Sequence, residues 1–179
     1  MTRQKRYMGL HKGLARFNAL SKAEAEGELL KCCGSTEWAR QMVAQRPFSD
    51  VEQLMTTAEQ ICWSLGEQDW LEAFSAHPKI GGRKAQRPQD AQARGWSEEE
   101  QAGARGIDAA TQDELAEANR AYLEKFGYIF IVCATGKTAA EMLALLRARL
   151  PNEPEVELRI AAEEQRKITR LRLGKVLTQ

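Results

Sequence analysis

The sequence predicts an all-α protein, a single-domain bundle of about eight helices, and three observations lead there. Helix-start signals recur along the chain, apolar residues repeat at helical spacing, and only one segment reads as a possible strand. A chain of 179 residues fits one domain and is long enough to bury most of the surface its unfolded form exposes.

The elements follow in order. The first stretch is basic, with Arg3, Lys5, Arg6, His11, Lys12 and Arg16 close together. Residues 1–12 read as a solvated, poorly ordered extension ahead of a folded domain over residues 13–179. Ser21 to Glu24 is a capping box opening a helix to about Cys33, where Gly34 stops it. Ser35 or Thr36 starts a second helix through Trp38 and Met42, ended before Pro47. Ser49 to Glu52 reads as another capping box. Behind it, Val51, Leu54, Met55, Ala58, Ile61, Cys62 and Leu65 line one helical face, and Gly66 ends the helix. A shorter helix around Trp70 to Ser75 leads into His77-Pro78.

From Gly81 to Gly95 the chain is polar and aperiodic, and it reads as an exposed loop. Ser97 to Glu100 opens the next helix, and Thr111 to Glu114 opens another that Gly127 stops. Thr138 to Glu141 opens a helix ending at Pro151, and Asn152 caps a long final helix reaching about Leu173. Tyr128 to Ala134 is the exception: a continuous apolar run whose periodicity does not choose between strand and helix. No second strand-like segment is there to pair with it, so a buried helical or irregular stretch is expected.

Composition excludes several function classes. Basic and acidic residues number 26 and 25, leaving a net charge of +1 and no basic stripe for nucleic acid. No apolar run approaches the ~20 residues that cross a bilayer, and the basic start lacks the apolar segment of a secretory signal. Cys32, Cys33, Cys62 and Cys133 include no C-x-x-C pair, and with only two histidines the spacing of a zinc site is missing. Reduced cysteines in a cytoplasmic protein are the economical reading.

Candidate residues each carry a plain structural alternative. Gly136-Lys137-Thr138 looks like the end of a phosphate-binding loop, but the required earlier glycine falls on Ile131, so Thr138 is read as a helix cap. Ser97 to Gln101 is explained by capping, although a helix start at a pocket also favours anions. His77 is the only histidine outside the basic start, and it would carry any acid–base chemistry near neutral pH. Arg172 ends the last helix, where a cation suits the helix dipole, and its spacing from Ile168 lets it border a packed face. From these residues alone an enzyme and a helical binding module both stay open.

Five stretches in order resolve that choice. They are Arg46-Pro47-Phe48, His77-Pro78-Lys79-Ile80-Gly81-Gly82, Ser97-x-x-Glu100-Gln101-x-Gly103, Phe126-Gly127-Tyr128-Ile129-Phe130-Ile131-Val132-Cys133 and Leu171-Arg172-Leu173. Each is weak singly, but the ordered set covers nearly the whole chain from about Phe17 and resembles the OHCU decarboxylases. These act on 2-oxo-4-hydroxy-4-carboxy-5-ureidoimidazoline (OHCU) in the breakdown of urate to allantoin. The resemblance implies an all-helical homodimer that needs no cofactor and no metal, with OHCU as substrate and (S)-allantoin as product. It implies His77 and Glu100 as catalytic residues, with Ser97, Gln101 and Arg172 binding the ligand. Backbone contacts would come from Phe130 and Val132, and pocket walls from Pro47 and Ile80. Where a common form of the histidine motif has Asp-Leu-Ala, this chain has Lys79-Ile80-Gly81, and the Lys79 charge by itself would lower the pKa of His77. Ser97 and Glu100 are expected to serve as cap and pocket together.

Overall fold

The computed structural model describes residues 3–80, 90–104 and 108–178, with side chains from residue 9 onward except that of residue 104. Among them are nine α-helices, one 3₁₀ turn at Ala102–Ala104, and no β-strand. The helices are α1 (Arg3–Ala19), α2 (Lys22–Cys33), α3 (Thr36–Ala44), α4 (Val51–Ser64), α5 (Glu67–Ser75), α6 (Ala91–Glu100), α7 (Ala109–Phe126), α8 (Ala139–Arg149) and α9 (Pro154–Val176). Eight correspond to the helices expected from sequence, and α1 is the addition. Of the loop expected from Gly81 to Gly95, residues 81–89 lie outside the described residues, as do the side chains of Arg3, Lys5 and Arg6.

The helix starts divide into two groups. Ser21 and Thr138 form true capping boxes with Glu24 and Glu141, and Ser35 caps α3 by accepting the Trp38 N–H. At three other starts an aspartate takes the cap. Asp50 rather than Ser49 accepts the Gln53 N–H at 2.8 Å. Asp90 rather than Ser97 caps α6, at 2.7 Å from the Ala93 nitrogen. Asp108 rather than Thr111 caps α7, and the Thr111 hydroxyl donates to it. A carboxylate is the stronger acceptor for a helix's first N–H groups and also suits the positive end of the dipole.

The α6 correction matters most, because residues 91–95 are helical instead of loop and Ser97 sits inside the helix rather than opening it. Two smaller differences follow the same logic. Gly66 opens the turn into α5, donating its N–H to Asp69, and α4 ends at Ser64. The last helix starts at Pro154, where a missing N–H costs nothing, while Asn152 donates its side-chain amide to Glu157.

Two compact units contain these elements: residues 1–72 with 166–179, and residues 73–165. In the first unit, α1 to α4 and the end of α9 bury Phe17, Leu29, Trp38, Met42, Leu54, Leu173 and Leu177. Trp38 satisfies its buried indole N–H on the Ala58 carbonyl at 3.1 Å, as a buried indole must. Burial pushes the Cys33 thiol up to about 11 and raises Cys32 as well, while the Arg172 charge pulls both the other way. All four cysteines are free and buried.

In the second unit, α7 and α8 pack together, and Tyr122 gathers an aromatic cluster. Its ring lies 4.6 Å from Phe126, 5.8 Å from Tyr128 and 5.3 Å from Phe130, the last two edge-to-face. Tyr128 to Ala134 is irregular and buried throughout, as one of the two expected alternatives. A buried backbone without a helix or ladder must find other partners. Arg149 donates to the Ile131 carbonyl at 2.8 Å, Glu164 accepts the Cys133 N–H at 2.7 Å, and Lys137 donates to the Cys133 carbonyl at 2.7 Å. Arg149 also stacks its guanidinium over the Phe130 ring at 4.6 Å.

Arg149 is itself held by Glu157, which accepts from its Nε at 2.8 Å and its Nη2 at 2.5 Å, and from the Tyr122 hydroxyl. Asn152 fills the second carboxylate oxygen at 2.8 Å. Glu157 is fully buried, so removing its cation strands a charge in a dry site. Arg149→Leu is therefore expected to lower the unfolding free energy by about 3–5 kcal/mol. Urea denaturation measures this, and a loss below about 1 kcal/mol would show that the network does not hold this unit together.

Candidate active site

His77 is placed by the end of α5. Its backbone N–H closes a turn on the Phe74 carbonyl at 3.0 Å, and Phe74 is anchored in the core against Tyr128. Pro78 follows, so the helix cannot continue and the chain leaves extended. The resulting stretch, His77 to Ile80, is held by three side-chain amides from three different elements. Gln165 of α9 meets His77 Nε2 at 2.8 Å. Gln101, the C-cap of α6, donates to the Pro78 carbonyl at 3.3 Å. Asn119 of α7 reaches the Ile80 carbonyl at 3.4 Å and the Leu115 carbonyl at 2.8 Å. Amides can satisfy buried polar groups without bringing a charge, which suits a site only 7% exposed at His77.

Glu100 and Gln101 end α6, and Ser97 lies one turn earlier on the same helix. Ser97 is buried, and its hydroxyl donates to the Ala93 carbonyl at 3.1 Å, the i−4 pattern of a serine inside a helix. The Glu100 carboxylate is 9% exposed and close enough to Cys133 to act on its thiol. Burial raises the Cys133 pKa, Lys137 opposes that, and Glu164 and Glu100 add to it, so this thiol stays protonated. Gly103 in the following 3₁₀ turn has no space for a side chain: a Cβ there would sit 2.0 Å from the Lys137 carbonyl oxygen. That close approach brings the end of α6 against the start of α8 and accounts for the glycine in the motif.

Of the residues expected from sequence, His77, Ile80, Ser97, Glu100, Gln101, Phe130 and Val132 therefore lie in the second unit. Hydrogen bonds tie the stretch from His77 to Ile80 to Gln165, Gln101 and Asn119, and Glu100 stands in electrostatic contact with Cys133. Phe130 is buried and turns its ring into the aromatic core. Arg172 and Pro47 belong to the first unit. Arg172 is 3% exposed and donates to the Lys31 carbonyl at 3.1 Å, so the helix end that it serves is that of α2. Pro47 is exposed and lines a groove with Asn18, Leu20, Lys22, Val43 and Arg46.

Sequence reading missed Gln165, Asn119 and Glu164. For Gln165 a signal existed, because it falls at helical spacing on the face shared by Ala161, Ala162, Ile168 and Arg172, all buried. A glutamine on an apolar stripe needs a polar partner, and here that partner is the histidine. Because Ser97 is not a cap, Ser97→Ala is expected to change stability by less than about 0.5 kcal/mol, where losing a cap costs about 1 kcal/mol. Thermal unfolding beside a binding assay separates the two roles.

A family model described as OHCU decarboxylase matches residues 18–174. The chain is 44% identical over 153 residues to the uric acid degradation bifunctional protein TTL of Arabidopsis thaliana, covering 86% of this chain and 47% of that protein. It thus spans about half the length of that relative. It is 34% identical over 133 residues to the 2-oxo-4-hydroxy-4-carboxy-5-ureidoimidazoline decarboxylase of Amia calva, covering 74% of this chain and 75% of that one. A crystal structure of OHCU decarboxylase in the presence of (S)-allantoin superposes with a TM-score of 0.72 at 42% identity, covering 85% of this chain and 98% of that chain.

Proposed function

The chain belongs to the OHCU decarboxylase family, and from that premise we propose that it converts OHCU to (S)-allantoin with His77 as general base. The observation that carries this reading is a buried imidazole held by the neutral Gln165 amide, in the same unit as the buried Glu100. An uncharged histidine is what a base at neutral pH requires.

The substrate supplies its own electron sink. Its carbon 4 bears a hydroxyl and the carboxylate, and carbon 5 is an imine carbon. His77 takes the hydroxyl proton, which raises electron density at the breaking bond. As the bond to the carboxylate breaks, carbon dioxide leaves and its electron pair forms a carbon 4–carbon 5 double bond. The imine pair moves to nitrogen, which takes a proton. Protonation of carbon 5 then restores the carbon 4 carbonyl and sets one stereocentre. No pyridoxal or thiamine is needed as a sink, so the reaction runs without cofactor or metal.

Glu100 and Gln101 accept hydrogen bonds from the ureido and ring N–H groups, and Ser97 adds a further one. The backbone of Phe130 and Val132 contributes acceptors and donors, and Ile80 gives an apolar wall. Arg172 and Pro47 enter the proposal on the family resemblance alone, with Arg172 holding a ring oxygen that gains charge. Gripping the departing carboxylate would stabilise the ground state and slow the step. The same resemblance puts the protein forward as a cytoplasmic homodimer, which sedimentation of the purified protein tests.

Adding the protein to freshly generated urate-oxidation product and following optical activity tests the reaction. Rapid appearance of one allantoin enantiomer is expected, and slow racemic decay would refute the activity. In that assay His77→Asn is expected to lower kcat by about 10²–10⁴-fold with the fold intact, and wild-type turnover would remove the base from His77. Dialysis against a chelator is expected to leave turnover unchanged, and a loss restored by added metal would overturn the cofactor-free reading.

A further inference from the structure

We propose that Gln165 is a positioning residue that sets the tautomer of His77: its amide oxygen holds the proton on Nε2 and leaves the basic lone pair on Nδ1. This rests on the reading of His77 as general base. The amide oxygen lies 2.8 Å from Nε2, and Gln165 and His77 are 1% and 7% exposed. With the amide oxygen facing the ring, Nε2 donates to it, and a neutral imidazole that donates from one nitrogen carries its lone pair on the other. The bond joins two buried side chains, where a hydrogen bond is stronger than in water.

The chemistry of the neighbouring side chain argues the same way. Glu164 and Gln165 are consecutive on α9, one charged and one neutral. The carboxylate is aimed at a backbone N–H, that of Cys133 at 2.7 Å, and the amide at the imidazole. Reversing them would put an anion against His77, stabilise its protonated form and spoil it as a base near neutral pH. The amide orients the ring at no such cost.

The backing is rigid. Gln165 sits on the buried face of α9 with Ala161 and Ala162, both fully buried, and Ile168. Two turns earlier on that helix, Glu157 is locked to Arg149. A side chain emerging between small, packed residues on an anchored helix has little freedom to release the ring.

Long-range proton–nitrogen NMR on protein with labelled histidine reads the tautomer directly. The chain has two histidines, so His11→Gln leaves His77 as the sole signal. Above the ordinary histidine pKa of about 6.5, the protonated nitrogen is expected to be Nε2 and the bare one Nδ1. The opposite tautomer in this otherwise wild-type protein would overturn the proposal, whatever any Gln165 variant does. Gln165→Leu is expected to lose the tautomer preference and to lower kcat by about tenfold to a hundredfold, with KM within about threefold. Gln165→Glu is expected to move the acidic limb of kcat/KM upward by about one pH unit or more. Wild-type kcat and pH profile in both variants would also overturn it. Should His77→Asn retain full turnover, the base assignment falls, and the tautomer remains readable by itself.

Discussion

The buried pair of Arg149 and Glu157 is the constraint on which the second unit depends. Burying two charges is expensive unless their remaining hydrogen-bonding capacity is used, and here it is. Glu157 takes two guanidinium N–H groups, the Tyr122 hydroxyl and the Asn152 amide, and Arg149 spends another N–H on the Ile131 carbonyl. Three helices are thereby joined: α7 through Tyr122, α8 through Arg149 and α9 through Glu157. The pair also makes the irregular apolar stretch possible. Without a helix or ladder, the stretch from Tyr128 to Ala134 places the Ile131 carbonyl and both backbone polar groups of Cys133 on charged side chains.

Anchoring α9 in this way has a consequence for the chemistry. Glu164 and Gln165 lie about two turns beyond Glu157 on the same helix, at 1.5 Å of rise per residue, so their positions are inherited from it. One fixes the Cys133 backbone and the other fixes the imidazole. Amides meet the His77 side chain and the carbonyls of Pro78 and Ile80. The Gln165 amide orients the imidazole without itself placing an anion against it.

Helix punctuation was legible where a hydroxyl had no competitor. Ser21, Ser35 and Thr138 cap as their spacing predicts. Where an aspartate lay close upstream or adjacent, it displaced the hydroxyl, as Asp50, Asp90 and Asp108 do. The pattern S/T-x-x-E does not weigh rival acceptors, and a carboxylate outbids a neutral hydroxyl for helix N–H groups. For Ser97 the error hid a helix start seven residues earlier and converted a supposed cap into a buried serine bonded within its helix.

The all-helical class, eight of the helices and the family were all readable from the chain, because helical periodicity, stop glycines such as Gly34 and Gly127, and ordered motifs are local signals. His77 stood out by its scarcity and by its place in an ordered motif. Its partners did not, since Gln165 is 88 residues away, Asn119 sits inside an ordinary amphipathic helix, and neither belongs to a motif read from sequence. Neither Arg149 nor Glu157 belongs to a motif read from sequence. Burial assigned these roles: a polar side chain withdrawn from water must take whatever partner the packing brings within reach, and sequence spacing does not encode which one that is.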